Sequence, residues 1–173
     1  NELAQASTDQ VRDYVRGEDG TEVTLTILSN QKTSDVTVTR GALDTSAFYE
    51  IRKQGNVSFG YIELSTFGTD TAKQVETALE MFKKKNIQTL VIDLRDNGGG
   101  LVAEALKIVD YIVPKDQTAL ITVDKEGKEE ISKTKEDAII TEPIVLLVNS
   151  SSASASEIMA GALKDLKCAT IVG

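Results

Sequence analysis

Two short stretches of the sequence carry residues that could take part in catalysis. Each lies between an expected strand and the start of an expected helix. The first is the serine turn, residues 149–154 (NSSSAS), which follows an apolar run and precedes Glu157. A serine at such a turn exposes its hydroxyl, and neighbouring amides can stabilise an oxyanion. The pattern is equally typical of helix capping, with Ser154 or Ser156 as the cap and Glu157 in the first turn. Taken alone, this stretch favours capping.

The second stretch is the glycine turn, residues 96–101 (DNGGGL). Its three glycines allow backbone amides to come close to a bound oxygen, and the start of a helix adds positive potential there. It is neither a P-loop nor a dinucleotide fingerprint, because Gly-Lys-Ser/Thr and the Gly-x-Gly-x-x-Gly spacing are missing. A tight turn without a ligand remains the alternative. Asp93 and Arg95, just before it, are expected to stabilise the turn by ion pairing.

Composition narrows the possible chemistry. The sequence has no histidine, which excludes Ser-His-Asp triads, Cys-His dyads and nearly all zinc-hydrolase ligand sets. Reactive groups must therefore be hydroxyl, carboxylate, lysine or backbone. With 19 basic against 27 acidic residues and a net charge of -8, nucleic acid is not expected as a partner. The single cysteine, Cys168, lies in an apolar stretch and is predicted to be buried and inert.

The elements that must position these turns fall into two groups. Residues 7–16 predict a short helix, and alternating residues at 21–28 and 35–40 predict two strands. These elements bury too little surface to form a core alone, so they are interpreted as the last part of a domain.

From about residue 43 strands and helices alternate, which predicts an α/β fold with a sheet covered by helices. One helix has Val75, Leu79 and Phe82 on its apolar face. Strands are predicted at 56–64, 89–94, 119–123, 130–133, 143–148 and 169–172, and helices at 69–85, 101–113 and 154–166. No apolar run approaches the roughly 18 to 20 residues that span a membrane.

Three motifs in this order resemble those of the carboxyl-terminal processing peptidases, also called tail-specific proteases. They are residues 59–67 (FGYIELSTF), 90–101 (LVIDLRDNGGGL) and 152–163 (SASASEIMAGAL). The resemblance extends over essentially the whole chain. It implies that residues 1–41 form the C-terminal part of a PDZ domain. Residues 42–173 would then form a crotonase/ClpP-like serine protease core that stops before its last strands.

The same resemblance implies a serine/lysine dyad, which agrees with the absence of histidine. It assigns Ser154 as the nucleophile and Asp165 as an acidic position that some members need. The oxyanion donors it implies are the Ala155 amide and one glycine amide of the triplet, that of Gly100 as first choice and that of Gly99 as second. For Asp165 a structural role at the helix end is an equal alternative.

The lysine base is expected about two dozen residues after Ser154, beyond Gly173, so the chain as given is expected not to cleave peptides. Lys164 and Lys167 cannot replace it, because their backbones would lie roughly 15 to 20 Å along the helix, whereas proton transfer needs a contact of about 3 Å.

The family resemblance further implies polypeptide substrates with extended, non-polar C-termini and no cofactor or metal. It also implies an extracytoplasmic, membrane-anchored protein, and it leaves the oligomeric state open. Two other classes stay open. One is a peptide-binding module of the same fold that does not cut its ligands. The other is a crotonase-like acyl-thioester enzyme, since that superfamily also uses paired amides as an oxyanion hole.

Overall fold

A computed structural model describes residues 6–18, 20–29, 32–41 and 46–173. The chain divides into two compact units, Asn1–Leu43 and Asp44–Gly173.

The first unit contains helix α1 (Thr8–Val15) and an antiparallel hairpin of β1 (Glu22–Ser29) and β2 (Lys32–Thr39). Ser7 and Gln10 cap the helix reciprocally: the Gln10 amide donates to Ser7 Oγ, and the Ser7 amide donates to Gln10 Oε1. The Arg40 guanidinium joins helix and hairpin by donating to the Val15 carbonyl at 2.7 Å and to Thr21 Oγ1 at 2.9 Å. The predicted helix and strand pair are confirmed, although β2 begins at Lys32 instead of residue 35.

The second unit contains seven strands and three helices within the part of the chain that the structure describes. In chain order they are β3 (Ala47–Gln54), β4 (Val57–Leu64), α2 (Thr71–Lys84), β5 (Thr89–Asp93), α3 (Val102–Ile112), β6 (Thr118–Val123), β7 (Glu129–Lys133), β8 (Ile144–Leu147), α4 (Ala155–Asp165) and β9 (Ala169–Val172). Strands β6 and β7, which match the strands predicted at 119–123 and 130–133, form a separate antiparallel hairpin. The other five form one sheet in the order β3-β4-β5-β8-β9.

Strand β3 was not predicted from the sequence. It pairs antiparallel with β4 across a turn at Gly55, whose φ is +60°. Because β3 is an edge strand, only some of its side chains, such as Tyr49 and Ile51, pack partly against the core. Its mixture of apolar and charged residues therefore lacks the strong apolar pattern of a central strand.

The core lies between the sheet and the helices. The predicted apolar face of α2 is confirmed, since Val75, Leu79 and Phe82 are all buried. Helix α3 carries the buried Glu104, whose carboxylate accepts a hydrogen bond from the Ala72 amide at 2.9 Å and one from Lys107 Nζ at 2.7 Å. This acid stabilises the first turn of α2, where backbone amides lack helical partners.

The direction of the strands brings the two turns together. Strands β4, β5, β8 and β9 run parallel, so their carboxyl ends share one edge of the sheet. The glycine turn follows β5 and the serine turn follows the neighbouring β8. Away from this edge, Cys168 is half-buried, and burial raises the pKa of its thiol. No helix among the described residues is long and apolar enough to cross a membrane.

Candidate active site

Ser154 occupies the sharp bend between the serine turn and α4. Its φ of +55° and ψ of -117° lie outside the regions that L-residues ordinarily adopt. The residue is exposed, and its amide donates to Glu157 Oε2 at 2.8 Å. The capping interpretation is thus correct in that Ser154 is the residue before the helix and Glu157 closes back onto it. It does not exclude chemistry, because strained serines at strand-to-helix bends present their hydroxyls outward.

The glycine turn packs directly against Ser154. A methyl group on Gly99 would lie 2.8 Å from Ser154 Cβ and 3.1 Å from the Ala155 nitrogen. A methyl group on Gly100 would lie 2.5 Å from the Phe67 carbonyl oxygen. Both glycines also have positive φ, +105° and +141°. The contact with the serine turn therefore requires glycine at position 99, and the contact with Phe67 requires glycine at position 100.

The backbone amides at this contact differ in their hydrogen bonding. The Gly99 amide donates to Asn97 Oδ1 at 2.8 Å. The amides of Gly100 and Ala155, in contrast, donate to no acceptor in the described part of the chain. Of the two glycine amides named from the sequence as oxyanion donors, only that of Gly100 is available to a ligand, together with the amide of Ala155 at the start of α4.

Asn97 is the residue that reasoning from the sequence missed. It is fully buried, and its side chain links β4 to the glycine turn: Nδ2 donates to the Leu64 carbonyl at 2.8 Å, and Oδ1 accepts from Gly99. Its carbonyl oxygen accepts from the Ala153 amide at 3.1 Å and from Ser156 Oγ at 2.9 Å. One residue therefore connects three segments of the site. An amide side chain directly before the glycine triplet was the available signal.

Other serines near Ser154 have structural roles. The Ser152 hydroxyl donates to the Leu94 carbonyl at 2.7 Å. The Ser156 hydroxyl is buried and donates to the Asn97 carbonyl at 2.9 Å. Asn149 and Asp96 form a reciprocal pair, in which the Asp96 amide donates to Asn149 Oδ1 and Asn149 Nδ2 donates to Asp96 Oδ1. These bonds join the serine turn to the glycine turn on both sides of Ser154.

The predicted ion pair between Asp93 and Arg95 is confirmed. The two charged groups approach to 2.5 Å, and the Asp93 carboxylate, which is buried, also accepts from the Tyr61 hydroxyl at 2.8 Å. Burial acts to raise the pKa of Asp93, but hydrogen bonds from the side chain and backbone of Arg95 and from Tyr61 together hold that pKa below its ordinary value. Burial, and then the hydrogen bond to the Asp93 carboxylate, raise the pKa of Tyr61.

Asp165 lies far from Ser154, at the opposite end of helix α4. It is the exposed last residue of the 11-residue helix α4, so the helix separates it from Ser154 by about 16 Å. Lys164 and Lys167 are exposed at that same end. No described lysine hydrogen-bonds to Ser154.

The geometry defines a class of site. An exposed serine packs against Gly99 of the glycine turn. Two free N–H groups are close in sequence to this contact, that of Gly100, next to Gly99, and that of Ala155, next to Ser154. Such an arrangement can bind an oxygen that becomes negative while the hydroxyl attacks a carbonyl, which is the requirement of serine-dependent acyl transfer.

Comparison with known proteins agrees with that class. Residues 58–173 match the family model of Peptidase family S41, and the chain belongs to this family. It is 35% identical over 168 residues to a CtpA-like serine protease of Staphylococcus haemolyticus and 36% identical to one of Staphylococcus aureus. These alignments cover 95% of this chain and 33% of each relative. The chain therefore spans about a third of the length of these relatives.

A solved structure supports the same fold. The photosystem II D1 C-terminal processing protease superposes with a TM-score of 0.66 at 26% identity. The match covers 94% of this chain and 46% of that protein. An α/β fold with a mixed sheet and covering helices is thus shared with a carboxyl-terminal processing protease.

Proposed function

We propose that the protein carrying this chain is a serine endopeptidase that cleaves polypeptides near their C-termini, with Ser154 as the nucleophile. The observation that supports this most directly is that Ser154 directly precedes the free amide of Ala155 and packs against Gly99, whose neighbour Gly100 also has a free amide. Membership of a peptidase family and the names of the relatives agree with it.

The reaction begins with attack of Ser154 Oγ on the peptide carbonyl carbon, while a neutral amine takes the hydroxyl proton. The carbonyl oxygen becomes an oxyanion that the Gly100 and Ala155 amides stabilise. The C–N bond then breaks, and the leaving amine takes the proton from the base. Water hydrolyses the acyl-enzyme and returns the serine hydroxyl. The Gly99 amide supports this site indirectly, because it is bonded to Asn97.

The base is proposed to be a lysine that follows Gly173 in the complete protein. Strand β9 runs parallel to β8, the Val148 amide donates to the Val172 carbonyl at 2.9 Å, and Gly173 packs against Val148. Residues after Gly173 would thus start at the edge where the serine turn begins. A lysine there can act as a base if burial lowers its pKa toward neutrality.

The rest of the proposal rests on kinship. Residues 1–41 are assigned to the C-terminal part of a PDZ domain, and residues 42–173 to a crotonase/ClpP-like core. Substrates would be extended, non-polar C-terminal tails, bound as an added strand, and the complete protein would be extracytoplasmic and membrane-anchored. The role of Asp165 stays a prediction, without a contact to Ser154 to support it.

The test is cleavage of an unstructured polypeptide with a non-polar tail by the complete gene product. We expect Ser154→Ala to reduce the rate at least about 10³-fold. A fluorophosphonate reagent should label Ser154, as located by mass spectrometry, and the 173-residue chain alone should not cleave. Cleavage that is unaffected by Ser154→Ala would contradict the proposal. Tail binding without labelling or cleavage would favour the non-cutting module, and hydrolysis of acyl-thioesters alone would favour the crotonase-like enzyme.

A further inference from the structure

The Gly99 carbonyl is held by two donors from the segment that follows β4. Thr66 Oγ1 donates to this oxygen at 3.0 Å, and the Phe67 amide donates to it at 3.0 Å. The Leu101 amide in turn donates to the Phe67 carbonyl at 2.8 Å, which aligns residues 66–67 alongside the glycine turn as a short parallel bridge. The Thr66 hydroxyl thus donates a second hydrogen bond to the Gly99 carbonyl, which already accepts one from the Phe67 amide.

This carbonyl belongs to the same peptide unit as the Gly100 N–H. In a trans peptide the C=O and N–H groups point in opposite directions, and the described residues contain no cis bond. Holding the Gly99 oxygen toward Thr66 and Phe67 therefore directs the Gly100 N–H away from them. Hydrogen bonds to a peptide carbonyl also polarise the unit and strengthen its N–H as a donor.

The peptide needs such an anchor because it lies between two glycines. Residues without a Cβ exchange readily between backbone conformations, and both glycines already have positive φ. Rotation of this peptide would turn a carbonyl, instead of an N–H, toward the site and reverse its polarity. An oxyanion hole depends on donors that are oriented before the reaction.

We infer that Thr66 is a positioning residue for the proposed oxyanion hole: its hydroxyl holds the Gly99 carbonyl so that the Gly100 N–H faces the reacting carbonyl. The inference rests on the proposed function. It assigns Thr66 no contact with substrate, so the substitution should change the chemical step more than binding.

The test compares variants of the complete gene product in steady-state cleavage of the polypeptide substrate. Thr66→Val keeps the shape of the side chain and removes the hydroxyl, whereas Thr66→Ser keeps the hydroxyl. We expect kcat of Thr66→Val to fall about 10-fold with KM changed less than about twofold, since a donor is weakened and not removed. Thr66→Ser should retain most of kcat. Fluorophosphonate labelling of Ser154 should slow in parallel with kcat.

Thr77→Val is the matched control, because the Thr77 hydroxyl also donates to a backbone carbonyl, that of Lys73 at 2.9 Å, on the exposed face of helix α2. It should leave kcat unchanged. Melting temperatures establish that the variants are folded. If the wild type cleaves in a Ser154-dependent manner but Thr66→Val is as active as Thr77→Val, or Thr66→Ser is as impaired as Thr66→Val, this inference alone is wrong. If the wild type shows no Ser154-dependent cleavage, the proposed function and the inference both fail.

Discussion

The glycine turn and the serine turn meet at one edge of the sheet but obtain their shapes in different ways. The glycine turn adopts positive φ at Asp96, at +61°, and at Gly99 and Gly100, where it contacts its neighbours and no side chain opposes it. The serine turn places a non-glycine residue, Ser154, at φ +55°, a conformation that costs of the order of 1–3 kcal/mol. The hydrogen bond that the Ser154 amide donates to Glu157, and those between the two turns, must offset this cost. The close contacts of the glycine turn thus depend on the absence of side chains at Gly99 and Gly100. The serine turn depends on hydrogen bonds that stabilise the strained backbone of Ser154.

Gly100→Ala should have the largest effect. The added methyl group would contact the Phe67 backbone at 2.5 Å, and the φ of +141° is strained for any L-residue. Because the Gly100 amide is the proposed oxyanion donor, we expect cleavage by the complete gene product to fall about 10²-fold or more. We expect the free energy of unfolding to fall by about 3 kcal/mol.

Gly98→Ala provides the control for this substitution within the same triplet. A methyl group there meets no atom within 4 Å, so activity and stability should stay close to wild type. Steady-state kinetics and urea unfolding followed by circular dichroism measure both effects. Equal behaviour of the two alanine variants would show that the glycine turn does not depend on a missing side chain at Gly100.

Asn97→Ala tests whether buried or exposed bonds join the two turns. It leaves the Leu64 carbonyl and the Gly99 amide without their buried partner, so we expect a loss of about 2–3 kcal/mol in the free energy of unfolding. Asn149→Ala removes the exposed pair with Asp96 and the exposed bond from the Ser151 amide instead, and it should cost about 1 kcal/mol or less. A larger loss for Asn149→Ala in urea unfolding would reverse the assignment of Asn97 as the main link.

The sequence predicted the two turns and most of the fold, but not how the turns are joined. Both turns were placed after strands of a parallel sheet by apolar runs and glycines, and these are local signals. Asn97 bonds to Leu64, Ala153 and Ser156, which are distant in sequence and meet only through the sheet order. Local sequence likewise does not show that the Gly99 amide donates to Asn97 while the Gly100 amide has no acceptor among the described residues. Strand β3 was missed because an edge strand buries little.

The effect of Asp93→Asn on the free energy of unfolding should depend on pH, and this dependence distinguishes the glycine turn from the serine turn. Because the Arg95 and Tyr61 bonds lower the pKa of Asp93 against the effect of burial, the carboxylate stabilises the fold above the pKa of an unfolded aspartate, about 3.9. That contribution is lost as pH falls through the lower pKa of the folded state. We therefore expect Asp93→Asn to be less stable than wild type by about 1–3 kcal/mol at pH 7.

The difference between wild type and Asp93→Asn should shrink as pH falls below about 4. Urea unfolding from pH 7 to the acid limit of folding measures this difference, and Asp137→Asn, at an exposed position, serves as the control with little effect at any pH. A difference that stays constant with pH would mean that the shape of the Asp93 side chain, and not its charge, supports the glycine turn. The carboxylates bonded to the serine turn, those of Glu157 and Asp96, are exposed. The buried Asp93 carboxylate lies just before the glycine turn, so only the glycine turn is expected to weaken through loss of a buried carboxylate charge.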